Sequence, residues 1–457
     1  MSSETQKMKK KAKGTLTPKL RFPEFRDGEG WQTPRLSDLY GFKRTNTLSR
    51  DKLNYEIGTI RNIHYGDIHT KFKPLFHVGH ECVPFINPEV SVDAFQEKDD
   101  CEQGDIVLAD ASEDVNDVGK AIEVVSLDGQ RVVAGTHTIL ATRQGSVPIV
   151  GFGGHLFQSA AVRAGIQRES QGAKVYGISA NRISPVALPL PPTNHEQQKI
   201  ADCLSSVDEL IAAEGRKLEA LKAHKKGLMQ QLFPRPGETR PRLRFPEFRN
   251  KAKWEVKSLG EVFDTATGGT PDRANRDYWN GTIPWVTTSL VDSNVIQRSE
   301  EFITEAGRDN SAAKMFPKGA VLIALYGQGK TRGKVAILAI DATTNQACAA
   351  IFPTEEVEPY FTFLNLAGRY NEIRSLSNSG GQDNLSQGLV RELPFSFPRN
   401  KAEQRRIAAC LVSLDDSVTA QTQKLAALQT HKKGLMQQLF PSAEEADGIS
   451  SGDAVTT

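Results

Sequence analysis

Two stretches of the chain place apolar residues in alternating steps of four and three. In the first, Ile200, Leu204, Val207, Ile211, Leu218, Leu221, Leu228 and Leu232 follow heptad spacing, with Glu214 and Lys225 at its two polar seam positions. The second reads Ile407, Leu411, Leu414, Val418, Gln421, Leu425, Leu428, Lys432, Leu435 and Leu439. Each predicts one long amphipathic helix stopped at a Phe-Pro step, at Pro234 and Pro441. Matched seam lengths and matched polar positions favour mutual pairing over packing on separate cores. The first helix carries the chain from one interior to the next, and the second helix follows that second interior. The pairing is therefore expected to be antiparallel, with one interior at each end of a rod roughly 57 Å long, and with the chain termini near one another.

The interiors show short apolar runs punctuated by Gly and Pro. Residues 105–109, 120–125 and 132–140 in the first interior, and 320–326, 334–340 and 347–352 in the second, predict strands. Residues 359–376 predict helix. The expected class is a mixed α+β fold with a strongly bent sheet in each of two globular domains, separated by a long antiparallel two-helix coiled coil and related by an internal pseudo-twofold repeat.

That repeat is written in the sequence. LRFPEFR stands at residues 20–26 and again 223 positions later at 243–249, and Trp31 and Leu36 recur as Trp254 and Leu259. HKKGLMQQLFP stands at 224–234 and again at 431–441, an offset of 207. The match extends back through Glu196-Gln197 and Glu403-Gln404. The second interior is thus 16 residues shorter than the first, and the two interiors look almost unrelated. A common frame holding two different readers is the expected organisation. The boundaries read as a tail and lead-in segment (1–36), a first domain (37–190), a central helix (191–236), a linker with the repeated lead-in (237–260), a second domain (261–398), a C-terminal helix (399–441) and a disordered tail (442–457).

Composition narrows the class. With 457 residues, 38% hydrophobic, 25% charged and a mean hydropathy of −0.42, the chain reads as a multi-domain soluble protein. No apolar run reaches the roughly 18 residues of a membrane span, and the lysine-rich start precedes no apolar segment, so a cytoplasmic location without a secretory signal is expected. Five cysteines form no CxxC pair, and His64, His69, His77, His80 and Cys82 lack a second ligand pair at zinc spacing, so they read as loop residues. Charge is local: residues 214–253 hold twelve Lys/Arg against four Asp/Glu, whereas 41–192 hold 15 against 18.

Both interiors carry a strand, a loop, Gly-Lys and a second strand. In the second, ALYGQGKT at 324–331 satisfies a loose phosphate-loop pattern. A phosphate loop needs a following helix, whereas here a β-like run follows at once, so a hairpin is expected. Its tip gathers Gln328, Lys330, Arg332 and Lys334, donors suited to phosphate and guanine. The first tip instead offers Asp110, Glu113, Asp114, Asn116 and Asp117, whose carboxylates suit the amino group of cytosine and would repel phosphates.

The order of these segments resembles the specificity (S) subunits of type I restriction-modification systems. The resemblance runs over nearly the whole chain: the LRFPEF segments, Gly269-Thr270-Pro271 followed by Ile283-Pro284-Trp285-Val286, Tyr65-Gly66-Asp67-Ile68, Thr344-Asn345-Gln346, Asn384-Leu385-Ser386 and the HKKGLMQQLFP ends. It implies a non-catalytic protein whose two target-recognition domains each read half of a bipartite, asymmetric site in double-stranded DNA, with the helix pair setting the gap. It also implies two modification (methyltransferase) subunits and restriction-translocation subunits as partners. The chain itself is expected to hold no cofactor, S-adenosylmethionine, ATP and Mg belonging to those partners, and no metal. By position, the implied DNA contacts are Lys43, Arg44, Arg61, Asn62, His64, Tyr65, Lys174 and Tyr176 in the first domain. In the second they are Thr270, Arg273, Thr287, Thr288, Ser289, Gln328, Lys330, Arg332, Lys334, Gln382 and Asn384. Two other readings are a coiled-coil adaptor without base readout and a diverged fused methyltransferase or NTPase. Neither accounts for a duplicated frame whose globular parts alone diverge.

Overall fold

The computed structural model describes residues 16–91, 95–327, 330–376 and 384–442. The lysine-rich start, nearly all of the tail, Gln328 and Gln382 lie outside the described residues. The chain divides into two compact units, one of residues 1–213 and 425–457, the other of residues 214–424. Both boundaries fall inside the long helices, Asn194–Leu232 and Lys401–Leu439, so each unit owns a segment of each helix.

Within each unit the two helix segments run antiparallel. In the first unit, Ile200 and Leu204 share a core with Leu439 and Phe440, against which Leu435 packs, and the Lys432 ammonium meets Asp208 at 2.6 Å. In the second unit, Leu232 shares a core with Ile407 and Leu411, Leu228 and Leu414 pack on it, and Lys225 pairs with Asp415. The two ion pairs are repeat-equivalents, each Lys and each Asp recurring at the offset of 207. At the other polar seam level, Gln421 donates to the Glu214 side chain and carbonyl at 2.6 and 3.0 Å. All sixteen apolar seam residues, Val207, Ile211, Leu218, Leu221, Val418, Leu425 and Leu428 among them, are buried or half-buried.

The lead-in segments anchor each helix pair with the same contacts. Arg21 donates twice to buried Glu196 (2.7 and 2.7 Å), and the Trp31 indole N–H donates to the same carboxylate at 3.1 Å. In the second unit Arg244 donates to Glu403 (2.7 and 2.8 Å), joined by Trp254 at 3.2 Å. Each carboxylate lies in the first turn of its helix, where the dipole favours negative charge. Leu20 N–H donates to the Gln438 carbonyl, and Leu243 N–H to that of Gln231, both at 2.9 Å. The start and end of the described chain therefore meet in the first unit. Phe440 packs against Trp31 and Phe152, as Phe233 packs against Trp254 and Phe361. Full burial of such a side chain is worth on the order of 1.5–3 kcal/mol.

The interiors, so unlike in sequence, share one topology. The main sheet of the first unit orders its strands Tyr40–Lys43, Thr138–Arg143, Ile106–Ala109, Ala121–Ser126 and Leu75–His77, with only the last contact parallel. The second unit repeats this with Thr265–Thr267, Cys348–Ile351, Val321–Ala324, Val335–Leu338 and Asn294–Ile296, in the same directions. Every residue of Ile106–Ala109, Val321–Ala324 and Val335–Leu338 is buried, so both sheet faces are covered and the runs show no alternation. In place of one bent sheet, each unit has a separate smaller one. Ile60–Ile63 lies between Phe85–Ile86 and Arg131–Ala134, and Trp279–Val286 between Glu301–Ile303 and Thr343–Thr344. The run 132–140 consequently splits at Gly135, one half in each sheet. The helical stretch 359–376 likewise breaks after Ala367 into Pro359–Ala367 and Tyr370–Ser375.

Candidate nucleic-acid interface

Strand register gathers the candidate segments at one edge of each five-stranded sheet. In the first unit Ala109 pairs with Thr138, and Leu108 with Ala121. Residues 110–120, His137 and the chain after Lys43 therefore leave the sheet together. In the second unit Ala324 pairs with Cys348, and Ile323 with Val335, so residues 325–327, 330–334, 345–347 and 268–270 do the same.

Four backbone hydrogen bonds close both edges in the same way. Asn46 N–H donates to Ala134 and Gly269 N–H to Thr344, at 3.0 and 2.8 Å. Asp110 donates to His137 and Leu325 to Ala347 (3.0 and 2.8 Å), while Ile178 donates to Asp110 and Leu385 to Leu325 (2.8 and 3.0 Å). Gly119 and Gly333 each donate to the residue ending the preceding strand, both at 2.9 Å, with φ of 68° and 82°. That left-handed backbone is why the hairpins carry Gly before Lys120 and Lys334. Residues 330–334 thus run straight into Val335–Leu338, where a phosphate loop would require a helix.

The candidate side chains divide by what already holds them. In the second unit Thr270 donates to Gln346 at 2.5 Å, Thr287 and Ser289 share a hydroxyl hydrogen bond, and Thr288 is half-buried beside them. Lys330 is exposed, and its carbonyl accepts from the Tyr370 hydroxyl at 2.8 Å. Arg332 donates to the Arg374 carbonyl at 3.3 Å, and Asn384 is half-buried beside Leu385. In the first unit Arg44 and Lys174 are exposed, and Tyr176 lies in a two-residue strand paired to Ala111–Ser112. His64 and Tyr65 stack at 4.7 Å. His64 caps the helix Tyr65–Thr70 by accepting from Gly66 N–H at 3.1 Å. Burial first and the Arg50 cation second hold the His64 imidazole below its usual pKa.

Five further candidates are held by partners within the fold. Asn62 is fully buried in the middle strand of the small sheet and accepts from Asn46 at 2.7 Å, so it braces the frame and cannot reach a base edge. Its neighbour Arg61 lies over the Phe85 ring and donates to Gln130 and to the Val83 carbonyl. Lys43 donates to the Asp100 carbonyl and pairs with Glu102, and Lys334 pairs with Asp292. Arg273 pairs with Glu301 and stacks on Trp279, 3.8 Å from the ring centre. Asp67, in the Tyr-Gly-Asp-Ile run, is likewise a structural anchor. Burial works to raise its pKa, but Arg50 and Lys71 hold it below the usual range.

Sequence reasoning missed His137. It sits where Ala347 sits in the other unit, directly after the Asn345-Gln346 motif, and that equivalence was the available signal. Among the described residues, no group of three or more His, Cys, Asp or Glu is placed to hold a metal ion, and no helix is long and apolar enough to cross a membrane.

The type I restriction modification DNA specificity domain matches residues 28–223 and again 251–430, two copies covering most of the sequence. The chain belongs to this family. Among curated relatives, the specificity subunit of the MjaIX type I restriction enzyme of Methanocaldococcus jannaschii is 29% identical over 170 residues, covering 36% of this chain and 38% of that protein. A type I restriction enzyme specificity subunit of Escherichia coli is 28% identical over 176 residues, covering 37% and 43%. The matched part is therefore less than half of either relative. In fold, the chain is similar to the crystal structure of a type I restriction-modification S subunit from M. genitalium, with a TM-score of 0.56 at 15% identity, covering 93% of this chain and all of that one. The two copies of the specificity domain match the duplication seen in the residues.

Proposed function

We propose that this chain is the specificity subunit of a type I restriction-modification complex in which each unit reads one half of a bipartite, asymmetric DNA site. The observation that carries the reading is the pair of sheet edges, closed by the same four backbone bonds and lined by different side chains. A frame kept constant while its rim changes is what two readers of unlike sequence require. The helix pair sets the number of base pairs between the halves and, with the anchored lead-in segments, carries two modification subunits and the restriction-translocation subunits. The chain works without chemistry of its own, in the cytoplasm, and S-adenosylmethionine, ATP and Mg act on its partners.

The contacts proposed in the first unit are Arg44, His64, Tyr65, Lys174 and Tyr176. In the second unit they are Thr270, Thr287, Thr288, Ser289, Lys330, Arg332 and Asn384, and, from their sequence positions alone, Gln328 and Gln382. Arg and Lys suit guanine or phosphate, Asn and Gln suit adenine. Exchanging residues 37–190 for the corresponding domain of another family member tests the reading. Sequencing of methylated sites should show one half of the site replaced and the other unchanged, whereas change in both halves, or in neither, contradicts it. Adding one heptad to each long helix should widen the gap and leave both halves intact.

A further inference from the structure

The duplicated frame supplies an internal control for every rim position. Where Asp110 and His137 stand in the first unit, the second has Leu325 and Ala347, joined by the same backbone bonds. Leu325 is 2% exposed and belongs to the core of its unit. The fold is therefore satisfied at this position by hydrocarbon. The first unit instead holds a half-buried carboxylate there, and burial raises the Asp110 pKa even though His137 opposes the rise. Such a group costs stability and gives the frame nothing that Leu does not.

The geometry presents this pair outward. His137 adopts a left-handed backbone, φ 53°, uncommon for a residue other than glycine, and its side chain is 58% exposed. Its Nδ1 lies 3.3 Å from Asp110 Oδ1, and its ring meets Tyr65 edge-on at 5.3 Å. In the tautomer that carries its N–H at Nδ1, that N–H donates to the carboxylate and the Nε2 lone pair faces away from it. A carboxylate also has more lone pairs than one imidazole uses. Asp110 and His137 thus form a surface of acceptors at the sheet edge, and Arg44 and Lys174 are exposed in the same unit.

In the major groove only adenine, through N6, and cytosine, through N4, present amino donors, whereas guanine and thymine present acceptors that a carboxylate repels. We infer that Asp110 and His137, supported by Tyr65, read an amino-bearing base, adenine or cytosine, within the half-site of the first unit. The inference rests on the DNA-reading function proposed above and adds the chemistry of one position.

The test is Asp110→Leu combined with His137→Ala, residues the second unit already carries at these positions. The full chain is expressed with its modification subunits and the methylated sites are sequenced. Expected is one A or C position relaxed, with discrimination lowered about 5- to 150-fold, in the half that exchange of residues 37–190 also changes. The other half and the gap stay as they were. The base found there separates adenine from cytosine. If it is adenine, hypoxanthine in a synthetic duplex, which lacks the amino group, should weaken binding by the unaltered complex by a similar factor. Should the double variant methylate nothing, His137→Ala alone, at an exposed side chain, carries the same expectation. Unaltered preference at every position would overturn the inference while leaving the bipartite reading in place. A parent site without two halves would overturn both.

Discussion

The two units differ where their strands leave the main sheet and share the frame behind that edge. At that edge the first unit carries Asp110, Asp114, Asp117 and His137, and the second carries Leu325, Lys330, Arg332 and Ala347. Behind the edge, strand order, strand direction, four closing hydrogen bonds and the Arg–Glu–Trp anchor are the same. Topology here is held by buried backbone pairing and by a few polar contacts at the helix starts. The rim residues join that pairing through their backbone, which leaves the identity of their side chains able to differ between the units. On the function proposed above, divergence at the rim marks the surface that meets DNA.

The comparison breaks first if the two anchors are not equivalent. Glu196→Ala strands Arg21 in a buried site, and Glu403→Ala strands Arg244. Each should lower the unfolding free energy by about 3 to 5 kcal/mol in denaturant titration. A large loss for one and none for the other would mean that the lead-in segments do different jobs.

A difference in the core sharpens the comparison next. Glu123 pairs with Ile106 as Ile337 pairs with Val321, so Ile337 is its counterpart. Burial pushes the Glu123 carboxyl up to about 7, although Gly151 and Gly154 N–H groups donate to it at 2.9 and 2.7 Å. A carboxyl whose pKa is raised on folding binds its proton more tightly in the native state, so stability is greatest below the unfolded pKa and falls as pH rises through the folded one. The chain should lose up to about 3 kcal/mol between pH 4.5 and 7 from this group, and Glu123→Gln should remove that slope. A slope unchanged in the variant would show that the carboxyl ionises without penalty.

The smallest effect concerns the seam. Double-mutant cycles on Asp208 with Lys432, and on Asp415 with Lys225, should each return about 0.2 to 1 kcal/mol, because both pairs are partly exposed. Unequal couplings would show that the seam is less symmetric than its sequence.

Much of the frame was legible because it depends on periodicity and repetition. The heptad seams, the helix stops at Pro234 and Pro441, and most strands need only local pattern. The shared interior topology was not legible, since buried strands such as Ile106–Ala109 and Val321–Ala324 require only apolar residues and no particular ones. The split of residues 132–140 between two sheets left no mark on a continuous run. Site residues were legible as segments more than as side chains. Residues 43–45 and 270, 61–65 and 287–289, and 171–176 and 384 reach the same edge in both units, yet Asn62, Arg61 and Lys43 point to internal partners. Alternation within the four residues of Ile60–Ile63 does not tell a buried Asn from an exposed one, because both neighbouring strands are remote in sequence.

One measurement tests the idea of a constant frame with two unlike readers most directly: sequencing of methylated positions in cells carrying this chain with its modification subunits. The expected result is a site of two dissimilar halves at one fixed separation. A single uninterrupted site, or the same half occurring twice in inverted order, would contradict it.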